Sequence, residues 1–388
     1  MKKHLIAAAV AGAFAVPAMA QVTIFGIVDV GYGSHETKSR DGTAKLKTSG
    51  VMDGSLAGSR IGFRGEEDLG GGMKANIWLE YGMSPTSAQG LAQRTASGAH
   101  QIGSAGQINS VQVTPASGAG SFNGQSASSL ARQTYVGLTG GFGGVRLGYQ
   151  YTASYALASL SGFAYAEYQG ANFQNAVHVG GTRANLIEYT APKFGAITLR
   201  AQIGQGTGRA TAESTSSSAL AARDNTDLMT LRLDYAAGPV AVGFAYTDVS
   251  DQDKGTGVTN ENKRDGTQST IAASYDLGVA KIVGTYNTAE VKGSTTSTAT
   301  TETEGAQITV AVPFGAALVW VSTGQSEAKP KTGAATSDKS GNAIGVRYAL
   351  SKRTTAYAIY GSEKDKKLTG NTMGYEDTKT VVGLNHSF

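Results

Sequence analysis

The chain has 388 residues, 33 basic and 29 acidic side chains, and no cysteine. That balance argues against a nucleic-acid binder, and the missing cysteines exclude a disulfide scaffold. Glycine supplies 53 residues and proline only 7, which without a collagen period suits long sheets with tight turns, because proline removes ladder donors.

In chain order, the first element is an export signal. Lys2 and Lys3 form a positive n-region, Leu5 to Val16 an apolar h-region, and Ala18-Met19-Ala20 an A-x-A cleavage site. The h-region is shorter than the roughly 20 residues a spanning helix needs. Residues 1–20 are therefore expected to be removed, leaving one domain over 21–388. Without Lys2 and Lys3 that domain carries 31 bases against 29 acids.

The stretch SRIGFRGEEDLGGGMKANIWLEYG, Ser59 to Gly82, reads as two alternating runs joined by a glycine turn. Its polar side carries Arg60 and Arg64, then Lys74, Asn76, Trp78 and Glu80. Further along, Val145, Leu147, Tyr149 and Tyr151 alternate with Arg146, Gly148 and Gln150. Ile197, Leu199, Ala201 and Ile203 alternate with Thr198, Arg200 and Gln202, and Met229, Leu231, Leu233 and Tyr235 with Thr230, Arg232 and Asp234. This is the period of two expected of strands.

The connections alternate as well. Short Gly- or Pro-bearing turns are predicted at 68–72, 140–144, 192–195, 236–239, 276–278, 313–315 and 350–353. Long polar loops are predicted near 34–54, 83–130, 152–182, 204–225, 250–266, 289–303, 326–339 and 363–374. Together these connections imply about sixteen strands, with short turns at one end and long loops at the other, the layout of a transmembrane antiparallel β-barrel. Lipid satisfies no backbone N–H or C=O, so a spanning sheet must close on itself. Propellers and β-helices would show a repeated sequence period with equivalent loops instead. Tyr81, Tyr151, Tyr189, Phe194, Tyr235, Tyr246, Tyr275, Tyr286, Phe314 and Tyr348 fall near predicted strand ends, where rings anchor in headgroups.

The blocks VTIFGIVDVG, SRIGFRGEEDLGGGMKANIWLE, LARQTYVGLTGGFGGVRLGYQ, RANLIEYTAPKFG, YALSKRTTAYAIYG and the terminal VGLNHSF resemble, in this order, the Gram-negative general porins of the β-proteobacterial type. The resemblance implies a homotrimer of 16-stranded barrels with periplasmic turns and extracellular loops. It implies a third loop folded into each channel, and a C-terminal aromatic, here Phe388, read by the outer-membrane assembly machinery. It further implies a constriction where arginines face acids. Matching positions are Arg60, Arg132 and Arg183, with Glu80 on the wall and Glu167 the acid of the third loop. Alternation leaves Arg132 ambiguous, since Val136 and Leu138 share its parity. Arg64, Lys74 and Arg146 are further channel-lining candidates. Tyr149 is another, standing where many members have arginine.

The function so implied is passive diffusion of small hydrophilic solutes and ions through the outer membrane of a Gram-negative bacterium, weakly favouring anions. A substrate-specific porin or surface adhesin is the alternative. An enzyme would need a nucleophile and base, yet the histidines of the mature chain, His35, His100, His178 and His386, sit in no G-x-S-x-G or H-E-x-x-H context. No catalytic residue, metal, cofactor or nucleic-acid partner is expected.

Overall fold

The computed structural model describes residues 21–86 (without 41 and 43), 101–102, 108–109, 131–158, 183–205, 226–251, 265–292, 300–331, 337–366 and 375–388. The expected export signal and cleavage site lie outside these residues.

The first strands are β1 (Gln21–Ser39), β2 (Lys45–Asp53), β3 (Arg60–Gly70) and β4 (Met73–Gly82). A two-residue ribbon follows, β5 (Gln101–Ile102) with β6 (Ile108–Asn109), then β7 (Ala131–Gly140) and β8 (Gly143–Tyr151). A six-residue helix, α1 (Ala153–Ala158), precedes β9 (Arg183–Thr190) and β10 (Ile197–Gln205). The rest are β11 (Thr226–Ala237), β12 (Val240–Asp251), β13 (Gly266–Asp276), β14 (Lys281–Val291), β15 (Thr301–Phe314), β16 (Ala317–Pro330), β17 (Ser337–Ala349), β18 (Thr354–Asp365) and β19 (Tyr375–Ser387).

All but the ribbon form one sheet of 17 strands in which neighbours run antiparallel. It closes because β1 pairs with β19, Ile27 opposite Ser387. The seventeen strands fill sixteen places. β1 pairs with β3 over its first residues, Gln21 to Ile27, and with β2 from Val30 to Lys38, so β2 and β3 share one place. The barrel therefore has the predicted strand number, with one strand split in two.

Strands reach further than alternation alone suggests. Residues 34–39 and 45–53, read from sequence as loop, belong to β1 and β2. There the inward positions His35, Thr37 and Ser39 are buried but polar, so the apolar period that marks a strand is lost.

Within the membrane band, burial follows parity. Leu199, Leu231 and Leu233 are 51%, 52% and 42% exposed, while Gln202, Thr230 and Thr247 are 1%, 0% and 1% exposed. The apolar side chains face outward and the polar ones are packed inside, the reverse of a soluble protein and the arrangement lipid demands. Most of the predicted girdle also faces out: Tyr189, Phe194, Tyr235, Tyr275, Tyr286, Phe314 and Tyr348 are exposed. Tyr81, Tyr151 and Tyr246 are half-buried, and Tyr151 is held by arginines as set out below.

The seam is tight. Gly26 and Phe388 exchange both backbone hydrogen bonds at 3.1 Å, and a Cβ at Gly26 would lie 2.3 Å from the Phe388 ring. At the periplasmic end Gly70, Gly71 and Gly72 turn with φ of 78°, 62° and 76°, a region open to glycine at little cost.

α1 opens the third long loop and lies inside the barrel. Leu157 is fully buried and packs with Ala245 of β12 and Ala272 of β13. Gly243 is needed beneath it, since a Cβ there would sit 2.4 Å from Leu157. Two wall residues grip one residue of the helix. Gln202 Oε1 accepts from the Ala153 N–H at 2.7 Å, and Arg232 Nη1 donates to the Ala153 carbonyl at 3.3 Å. Ser154 and Thr247 share a hydroxyl contact of 2.5 Å.

Candidate functional site

The inward face of β3, β4 and β7 is set by register. Gly62 pairs with Glu80 and Arg64 with Trp78; Trp78 pairs with Tyr135 and Glu80 with Gln133. At the top of β7 the register shifts, because Tyr81 pairs with Ala131 and leaves Arg132 as the extra residue of a β-bulge. A bulge re-aims the side chain it carries. Arg132 therefore escapes the outward parity of Val136 and Leu138 and reaches Glu80.

Glu80 is 3% exposed and receives Arg132 Nε at 2.7 Å, Arg60 Nη1 at 3.5 Å and Trp78 Nε1 at 3.3 Å. Arg132 Nη2 also donates to the Tyr151 hydroxyl at 3.0 Å, and Arg183 Nη2 donates to the same oxygen at 2.8 Å. The Arg183 guanidinium lies 4.4 Å from the Tyr151 ring centroid, and that ring stacks on Tyr155 of α1 at 5.2 Å. Arg60, Glu80, Arg132, Tyr151 and Arg183 thus form one connected row across β3, β4, β7, β8 and β9. The row holds three guanidiniums and one carboxylate. Its geometry can attract an anion by field and offer it N–H donors, and supplies no nucleophile–base pair.

The expected separation of acids and arginines is corrected at Glu80. It does not face the arginines across the channel, because its strand β4 lies between the strands that carry Arg60 and Arg132. Tyr149 is also corrected. Its register partners are Thr134 and Asn185, which puts it on the outward face with Val136, Leu147 and Ile187 rather than on the channel wall. The other candidates, Arg64, Lys74 and Arg146, share the register face of Trp78 and Glu188 toward the turns. Arg64 lies 5.8 Å from the Phe25 ring, and Lys74 pairs with Glu66 at 2.5 Å beside the turn. Arg146 is 3.6 Å from Glu188 and 5.1 Å from the Tyr135 ring. Glu167 lies outside the described residues.

Several residues that shape the site were not singled out from the sequence. Tyr151 was read as a girdle ring, yet it joins two arginines. Gln202, Arg232 and Asp29 had only their inward parity as a signal: long polar or acidic side chains at mid-strand, flanked by apolar neighbours.

A closed barrel, polar within and apolar without, with an arginine row at the level where its third loop turns inward, matches the Gram-negative porin family over residues 7–368. The chain belongs to the Gram-negative porin family. The porin is 30% identical to outer membrane porin protein 32 of Delftia acidovorans over the whole of both chains. It is 26% identical to an outer membrane porin protein of Bordetella pertussis, again over both full lengths. In fold it is similar to the anion-selective porin from Comamonas acidovorans, with a TM-score of 0.64 and 24% identity over 95% of this chain and all of that one. The porin is accordingly a barrel of the Gram-negative outer membrane and a passive channel for small hydrophilic solutes.

Proposed function

We propose that Arg60, Arg132 and Arg183 form the anion-favouring side of the channel's constriction, and that the porin works as a homotrimer of such channels. The observation that carries this reading is Glu80 between Arg60 and Arg132, at 3.5 and 2.7 Å, one carboxylate set against three guanidiniums. A positive row in a narrow, low-dielectric passage raises the local concentration of anions and repels cations. Guanidinium suits the task because it stays charged at any working pH and is weakly hydrated, so a passing anion can exchange water for N–H donors. The name of the Comamonas acidovorans relative, an anion-selective porin, agrees with this reading. Glu167 is proposed as the acid of the facing loop, Arg64, Lys74 and Arg146 as channel-lining charges, and Phe388 as the residue recognised by the outer-membrane assembly machinery.

The test is the reversal potential of purified trimers in planar bilayers under a salt gradient. Arg60→Ser with Arg132→Ser is expected to shift it toward cations while the trimer still forms, because both changes lie on the water-filled side. Screening adds a second signature. The Debye length is about 8 Å at 0.15 M salt and about 3 Å at 1 M, so anion preference is expected to fade in concentrated salt. An unchanged reversal potential in the folded double variant would remove these arginines from the selectivity mechanism.

A further inference from the structure

The barrel wall is interrupted between β2 and β3, and a carboxylate sits in the gap. β1 pairs with β2 as far as Val30, opposite Asp53, and with β3 from Ile27, opposite Arg60. The chain between, Gly54–Ser59, leaves the wall and folds into the barrel, where Leu56 packs against the apolar patch of Trp320, Tyr357, Ile359 and Val381.

Asp29, fully buried in the gap, holds this segment. Its Oδ1 accepts from the N–H groups of Ser55 at 3.0 Å and Leu56 at 3.4 Å, and from the Tyr357 hydroxyl at 2.8 Å. Its Oδ2 accepts from the Ala57 N–H at 3.0 Å and from Asn385 Nδ2 at 2.8 Å. The ends of the segment are tied to the Asp29 backbone. The Gly54 N–H donates to its carbonyl at 3.0 Å, and the Ser59 hydroxyl accepts from its N–H at 3.0 Å. Successive N–H groups turned onto one carboxylate make a compact, anion-centred loop. The Gly58 carbonyl of that loop accepts from Arg60 Nε at 3.0 Å. Arg60 is therefore held at Nε by the segment and drawn at Nη1 toward Glu80.

We infer that Asp29 is a positioning residue for ion selection: through residues 54–59 it holds the Arg60 guanidinium in the arginine row. The inference rests on Arg60 being a selectivity group, as proposed above. It implies that an acid in the channel wall sustains the preference for anions. This reverses the usual sign. A carboxylate that acts only by its own charge opposes anions, so removing it would raise anion preference. A carboxylate that acts by placing an arginine does the opposite.

The experiment measures reversal potentials of Asp29→Asn, Arg60→Ser and the double variant in the same salt gradient, with trimer yield checked by heat-modifiable gel mobility. Arg60→Ser and Asp29→Asn are both expected to shift the potential toward cations. Adding Asp29→Asn to Arg60→Ser is expected to give no further cationic shift. If Arg60→Ser moves the potential and Asp29→Asn leaves it unchanged or moves it toward anions, the inference fails and the arginine reading stands. If Arg60→Ser itself does nothing, both fall. Should Asp29→Asn yield no trimer, Ser59→Ala loosens the same segment without altering charge. A cationic shift is expected there too, and an unchanged potential overturns the inference.

Discussion

Arg132 Nε meets Glu80 Oε1 at 2.7 Å because a β-bulge at Arg132 turns an outward-parity residue into the channel. The pair does more than join two strands. Arg60 contacts the same carboxylate oxygen at 3.5 Å, so one acid tempers two guanidiniums. Glu80→Gln keeps the shape and removes the charge. It is expected to raise anion preference, read as a reversal-potential shift opposite to that of the arginine variants. Loss of the charged hydrogen bonds is expected to cost on the order of 1–2 kcal/mol, the arginines keeping some water. No shift in a folded trimer would mean that Glu80 is hidden from passing ions.

The grip on α1 predicts a change of pore size. Gln202 and Arg232 hold the N–H and carbonyl of Ala153. Replacing both by Ala frees the Ala153 backbone and leaves the helix on the packing of Leu157 against Ala245 and Ala272, the Ser154–Thr247 contact and the stack of Tyr155 on Tyr151. Single-channel conductance is expected to rise, and liposome-swelling assays are expected to admit larger neutral sugars. A conductance equal to that of the parent would show that these two side chains do not set the width.

Charge placed on the two faces separates lipid from channel. Leu199→Arg is expected to destabilise the barrel by roughly 2–4 kcal/mol, the cost of a cation near the bilayer midplane. Thr198→Arg, whose register partner is Asp234, is expected to be close to neutral in the same urea-unfolding assay. Inward parity is not enough for tolerance, however. Thr230 is fully buried, and its hydroxyl lies 3.0 Å from that of Thr247, which in turn meets Ser154 of α1. Thr230→Arg is expected to displace the helix, visible as raised conductance or lost trimer.

The seam gives a fourth expectation. Removal of Phe388 deletes both backbone hydrogen bonds to Gly26, and Gly26→Val drives a side chain into the Phe388 ring. Both are expected to lower the yield of heat-modifiable trimer in the outer membrane. Normal yield of the Phe388 deletion would count against the terminal aromatic as an assembly signal.

What the sequence discloses is what period two can carry. Leu199, Leu231 and Thr230 were placed on the correct faces because regular strands put every second residue on one side. Arg132 was ambiguous because a single inserted residue resets parity, and nothing in LARQTYVG marks it. Tyr151 was misread because a tyrosine at a strand end can anchor in headgroups or turn over the rim, and only its arginine neighbours decide between these. Tyr149 stood in a motif position usually held by arginine, yet the register turns it outward. Asp29 was visible as an acid amid VTIFGIVDVG, but its donors lie on residues 55–57, 357 and 385, distant along the chain.

Closure between the two ends of the chain also fixes when the channel can exist. Ile27 and Ser387 are register partners, and Phe388 supplies the last bonds to Gly26. Until β19 has been made and exported, one edge of β1, from Ile27 to Ser39, has no neighbour. Its bare N–H and C=O groups cannot enter hydrocarbon. A product lacking β19 is therefore expected to remain an open sheet outside the membrane rather than become a small or leaky pore. Pairing of β1 with β19 thus has to precede the opening of any hole in the cell's outer barrier.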